Sequence, residues 1–187
     1  MTDQSIYLVR HGDTAFNAAG RLRGLADPDL NAAALGQAKS LASAFASART
    51  SIMVSTPLLR AVHRGDHRPK LQTEHKVDVR FNDRGYGRWA RQPNTGVIAQ
   101  WVHRRRGTGR RADVLDPLAS ASSPRRMGRA GASLDHPLIV VTHDAVIRPR
   151  QINIAPALPL PNVATGFYQL LRRHSTTWRI ERANQLP

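Results

Sequence analysis

Cysteine is absent from this 187-residue chain, which rules out a disulfide framework, a thiolate metal site and a cysteine nucleophile. Aromatic residues are scarce, at 5%, so the chain lacks the interleaved aromatic faces on which single-stranded nucleic acid stacks. Acidic residues are outnumbered, 13 Asp and Glu against 28 Lys and Arg, for a formal charge of +15. No apolar run approaches the roughly 20 residues of a membrane-spanning helix, and the first predicted strand begins at Ile6, which leaves no room for a secretory signal. The expectation is a soluble, cytoplasmic protein with no membrane association. The length suits one domain, residues 1–187, with a core large enough to fold alone.

The basic excess is uneven. Most of it lies between Arg60 and Arg129, where Arg104-Arg105-Arg106, Arg110-Arg111 and Arg125-Arg126 cluster. Such a surface attracts polyanions of any kind. Without aromatic partners, nucleic acid is expected only as a non-specific electrostatic partner, and a solvated basic face is the plainer reading.

Against that background, residues 6 to 12 read Ile-Tyr-Leu-Val-Arg-His-Gly, a short apolar strand running straight into Arg10, His11 and Gly12. Open α/β sheets bind ligands at the carboxyl ends of their strands. An imidazole with one unprotonated ring nitrogen can attack phosphorus, and a neighbouring guanidinium can neutralise the phosphate under attack. Leu138 to Thr142 is the clearest buried strand in the chain and delivers a second histidine, His143, to its own end. Between them, Leu35, Ala38, Leu41, Ala42 and Phe45 recur at helical spacing over residues 31–48, and Ser51 to Ser55 reads as a short buried strand followed by a helix that starts near Pro57 and carries Arg60.

The motifs together resemble the histidine phosphatase superfamily, in its phosphoglycerate mutase-like group. The residues that carry the likeness are Arg10-His11-Gly12-Asp13-Thr14, Asn17, Arg21, Gly24 and Gly36-Gln37-Ala38, then Ser55, Pro57, Arg60 and Ala61, then Phe81, Asp83, Gly87 and Trp89, and finally Thr142-His143-Asp144. The resemblance implies a three-layer α/β/α sandwich with a mostly parallel central sheet. It also implies a phosphomonoester hydrolase working through a phosphohistidine, with His11 as nucleophile, Asp83 as proton donor, and Arg10, Asn17, Arg60 and His143 around the phosphate. No cofactor and no metal are required by that chemistry, and the partner is a small phosphorylated substrate. The family's usual acid is Glu, so Asp83, one methylene shorter, must be carried closer by its loop; alternatively it pairs with Arg80 or Arg84 on the surface. Asp144, directly after the second histidine, is the alternative proton donor, as in the acid-phosphatase branch. Family mutases are generally longer, so the length favours a phosphatase over a mutase-type phosphotransferase; a catalytically impaired relative and a basic nucleic-acid-binding module are the other readings.

Three stretches depart from the pattern. His63 and His67 flank Asp66 at metal-pair spacing, but Gly65 and Pro69 oppose a helix there and no third ligand is evident. Pro149 falls where a helix after His143 should still be running, which predicts a short helix, and Val163–Leu171 with Thr177–Arg182 read as a closing strand pair. Residues 103–137 turn to Arg, Gly, Ser, Ala and Pro, as a basic loop would, or as a changed reading frame in GC-rich coding sequence would. If the frame is the cause, a three-frame comparison of the coding sequence will restore a helix-like apolar pattern over 103–137; no such pattern in any frame leaves the loop.

Overall fold

The computed structural model describes residues 4–46, 48–50, 52–65, 73–97, 136–155, 162–175 and 177–186. A sheet of six strands runs in the order β3-β2-β4-β1-β5-β6, where β1 is Ser5–Arg10, β2 Ile52–Ser55, β3 Glu74–Val77, β4 Leu138–Thr142, β5 Tyr168–His174 and β6 Thr177–Gln185. The first four strands are mutually parallel and the last two turn antiparallel. Four helices accompany them among the described residues: α1 Ala15–Ala18, α2 Ala32–Ala46, α3 Leu59–Gly65 and α4 Asp144–Ile154.

The layers follow from the period of two along each strand. Ile6 and Leu8 of β1, Val54 of β2 and Leu138 and Val140 of β4 face one way, against Ile147 of α4, Val163 and Leu171. Val9, Met53, Ile139 and Val141 face the other way, against Leu41 and Phe45 of α2 and Ala61 of α3. Covered on both faces, β4 is buried at every residue, which is why it reads as an unbroken apolar run. Tyr7, Phe45 and Tyr168 close the second layer as an aromatic cluster with centroids 4.8 to 5.6 Å apart.

Local chemistry sets the helix ends. Asn31 caps α2, its side-chain oxygen accepting from the Ala34 amide at 2.8 Å while its own amide donates to Asp13 at 3.0 Å. The buried stripe of α2 is Ala34, Ala38, Leu41, Ala42 and Phe45. Leu35, which the apolar spacing assigns to that stripe, is 41% exposed, and the small Ala34 is buried in its place.

Two further expectations are corrected. The helix after His143 is not short: α4 continues through Pro149 to Ile154. Proline removes a backbone donor inside a helix, yet Gln151 beyond it is buried and Ile154 packs on the first core layer, so tertiary burial carries the helix past the break. The closing pair begins at Tyr168 rather than Val163, which is instead fully buried in the loop before it. Strand β3 was not legible at all, because Glu74-His75-Lys76-Val77 is a solvated edge strand with one face in water. Most of the irregular stretch 103–137, as well as Asp66, His67 and the side chain of His63, lies outside the described residues.

Ile139 sits on the central strand at 1% exposure. Ile139→Ala is expected to cost about 2–5 kcal/mol by removing buried methyl groups and leaving a cavity, read as a lower urea midpoint at unchanged slope; a loss under about 1 kcal/mol would place the residue outside the close-packed core.

Candidate active site

Parallel strands end on the same edge of their sheet, and this is what brings the distant motifs together. Arg10 of β1 is in register with Thr142 of β4, and Ser55 of β2 with Val141. His11, His143 and the start of α3 therefore follow from neighbouring strand ends. The rings of His11 and His143 lie 5.1 Å apart between centroids, inclined by 54°. Both are buried, at 0% and 1% exposure.

The His11 Nδ1 lies 2.6 Å from the Gly12 carbonyl oxygen. A carbonyl only accepts, so Nδ1 carries the proton and the lone pair is on Nε2. That Nε2 is buried with no hydrogen-bond partner among the described residues. Burial, reinforced by His143, Arg60 and Arg23, holds the His11 pKa well below 6.5, and the Gly12 bond offsets only part of this. His143 is held well below 6.5 in the same way, by burial first and then by Arg60, Arg23 and Arg10. Both imidazoles are neutral near pH 7. His143 Nε2 is 3.1 Å from the Thr56 hydroxyl.

Arg60 has a side chain with 0% exposure. Its Nη2 donates to the Gly24 carbonyl at 2.7 Å and to Asp83 Oδ2 at 3.2 Å, and its Nη1 donates to the Ala26 carbonyl at 2.7 Å and to Asp27 Oδ1 at 3.4 Å. Asp27 also caps α3, accepting from the Leu59 amide at 2.8 Å. Arg10 donates to the Val163 carbonyl at 2.7 Å and stands 3.7 Å from Asp144.

Asp83 reaches the histidines through its loop. The Asp78 amide donates to Ser55 O at 2.8 Å, and the Thr142 hydroxyl donates to Phe81 O at 2.8 Å. The loop is thereby fastened across the ends of β2 and β4, and Asp83 Oδ2 comes to 3.9 Å from His143 Nδ1. Burial pushes the Asp83 carboxyl up, against the opposing pull of Arg60, the Arg84 amide and Arg23. Arg80 pairs with Asp78 instead, and Arg84 offers Asp83 only its backbone amide, at 2.9 Å.

Two candidates stand further off. Asn17 accepts from the Thr14 hydroxyl at 2.7 Å, and none of its hydrogen bonds reaches the imidazoles. Asp144 is divided between Arg10 at 3.7 Å and Arg148 at 3.0 Å on its own helix. Arg21 points its Nη1 at the Arg91 carbonyl, 2.9 Å away. Its neighbour Arg23, like Arg60, is a cation whose charge acts on both histidines, whereas the resemblance singles out Arg21. Thr56 and Asp27 were likewise unassigned, since their parts depend on partners more than thirty positions away. Among the described residues, no group of three or more His, Asp or Glu is arranged to hold a metal ion, and no helix is long and apolar enough to cross a membrane.

Comparisons with known proteins show the family and the fold. The family model for the histidine phosphatase superfamily (branch 1) matches residues 6–185. A glucosyl-3-phosphoglycerate phosphatase from Mycolicibacterium vanbaalenii is 27% identical over 167 residues, 79% of this chain and 72% of that protein. A metal-independent phosphoserine phosphatase from Arabidopsis thaliana is 44% identical over 57 residues, 30% of this chain and 24% of that protein. The solved structure of a mycobacterial glucosyl-3-phosphoglycerate phosphatase complexed with VO3 superposes with a TM-score of 0.79 at 20% identity, covering 96% of this chain and 98% of the other.

The depressed histidines predict a pH dependence of stability. Unfolding restores ordinary imidazoles, so below about 6.5 the unfolded chain binds more protons than the folded one, and stability falls as the pH drops toward the lowered folded-state values. Thermal midpoints are expected to decline from pH 7.5 to 5, with a shallower decline in His143→Gln; an equal slope in the variant would remove His143 as a source.

Proposed function

The chain belongs to the histidine phosphatase superfamily, and from that premise we propose that it hydrolyses small phosphomonoesters with His11 as the nucleophile. The observation that carries this reading is the His11 Nε2, neutral, buried, without a partner, and set beside the ring of His143. In the first step its lone pair attacks phosphorus while the ester P–O bond breaks. Asp83, whose carboxyl burial pushes up against the pull of Arg60, takes up a proton and gives it to the departing oxygen. In the second step a water molecule attacks the phosphohistidine, the P–N bond breaks, and the Asp83 carboxylate takes the water's proton.

Arg10, Arg60 and His143 supply charge and hydrogen-bond donors to the equatorial oxygens, where negative charge concentrates in the transition state. Asn17 would join them at the rim. We assign the proton to Asp83 rather than Asp144 because Asp83 borders both Arg60 and His143, whereas Asp144 is already shared by Arg10 and Arg148.

Turnover of 4-nitrophenyl phosphate should vanish in His11→Ala, and a phosphoryl group trapped by acid-free rapid quench should map to His11 in the wild type; a surviving rate would remove the nucleophile. Asp83→Asn should lower the rate on glycerol phosphate by about 10²- to 10⁴-fold and abolish the fall in activity at rising pH. The loss on 4-nitrophenyl phosphate should be smaller, because nitrophenolate departs without a proton. Equal losses on the two esters would show that Asp83 is not the acid.

A further inference from the structure

The segment from Arg21 to Ala26 is fastened at both ends. On one side the Leu22 amide donates to Gln92 O at 2.9 Å, the Arg91 amide to Leu22 O at 2.7 Å, and Arg21 Nη1 to Arg91 O at 2.9 Å. On the other, the Gly24 and Ala26 carbonyls both receive the Arg60 guanidinium at 2.7 Å. Arg23 stands between these anchors. Gly24 beside it has φ +52°, and a Cβ there would lie 2.7 Å from both Arg84 O and the Tyr86 ring. The segment is thus pressed against the loop that immediately follows Asp83, on the side where the departing alcohol receives its proton.

The other cations of the site have carboxylates: Arg10 faces Asp144, and Arg60 faces Asp27 and Asp83. Arg23 has none within 4.0 Å among the described residues, and its Nε is shut off from solvent with no hydrogen-bond partner. The side chain is only half-buried, so the rest of it is open to a ligand. Its charge acts at once on His11, His143, Arg60, Asp83 and Tyr86. Arg10 and Arg60 already answer the two charges of a phosphoryl group. A third guanidinium, without a carboxylate partner among the described residues and carried by the segment packed on the loop after Asp83, can meet a further negative charge.

We propose that Arg23 is a specificity-determining residue that contacts a second anionic group, a carboxylate or a phosphate, carried by the substrate's alcohol close to the ester. The inference rests on the phosphomonoesterase reading for what the ligand is, but binding alone tests it. Phosphonates have a C–P bond that the proposed reaction does not break, so 2-carboxyethylphosphonate, ethane-1,2-bisphosphonate and propylphosphonate can be compared at equilibrium by titration calorimetry. The wild type should bind one or both doubly anionic ligands about tenfold or more tighter than propylphosphonate, as a charge-assisted hydrogen bond at a desolvated site implies, and the tighter of the two identifies the group. Arg23→Gln should erase that preference and Arg23→Lys should keep part of it.

Equal weakening of all three ligands in Arg23→Gln would place Arg23 on the phosphoryl group instead and overturn the proposal. So would a wild type indifferent to the second charge, or one that binds none of the three. A preserved preference in a protein that turns over no ester would retain the anion site and sink the phosphatase reading alone.

Discussion

One buried guanidinium ties the site to the fold. Arg60 comes from α3, yet its four hydrogen bonds go to Gly24, Ala26, Asp27 and Asp83, so a single side chain holds the loop after β1, the cap of α3 and the loop after β3 against one another. Taking a charge out of water costs several kcal/mol even after relaxation, and the arrangement shows that cost is not fully met. Burial lowers the Arg60 pKa despite two carboxylates, and burial raises that of Asp83 despite the arginine. Both partners of the ion pair are under strain in the same direction. In the proposed reaction an arriving phosphoryl dianion would relieve it by giving the guanidinium a further anion. The pair is thus poorly optimised as a structural salt bridge and well placed as a site held ready for an anion.

The same desolvation sets the state of the histidines. Burial and the nearby cations together keep both imidazoles neutral, the state in which the His11 Nε2 holds a lone pair. The Gly12 carbonyl then settles which nitrogen of His11 carries the proton. Its effect opposes the others, since accepting from Nδ1 favours protonation, and the carbonyl's contribution is orientation more than electrostatics. Sheet geometry supplies the rest: parallel β1 and β4 put the two rings at adjacent strand ends without any long-range side-chain contact being needed to align them.

What could be read in the sequence was what depends on near neighbours. An apolar run ending in histidine is a local pattern, and so His11, His143 and the strands beneath them were legible, whereas the sheet's mostly parallel character came only through the family resemblance. The buried stripe of α2 was legible in Ala38, Leu41, Ala42 and Phe45 and missed only at Leu35, because a leucine outweighs an alanine in any apolar count although Ala34 is the residue buried there. β3 left no pattern because an edge strand need not bury a face. The run of α4 past Pro149 depended on burial of Gln151 and Ile154, to which a helix rule based on proline alone is blind. Asp83 illustrates the middle case: its residue type and approximate place were apparent, but its reach rests on the Thr142 to Phe81 hydrogen bond, 61 positions apart in the chain.

Arg21 and Arg23 carry this distinction furthest. In an unusually basic chain, one more arginine says little, and composition assigns both to a solvated surface. The backbone separates them: Arg21 is spent on a carbonyl of the segment beside it, while the residue two places on is held between that anchor and the Arg60 carbonyl contacts, next to a glycine too crowded for a side chain. A positive charge in that position acts against Arg10 and Arg60, whose pKa values it lowers, and with Asp83, whose pKa it also lowers. It also opposes protonation of His11. The arginine excess that suggests non-specific polyanion binding thus has one member whose surroundings are specific.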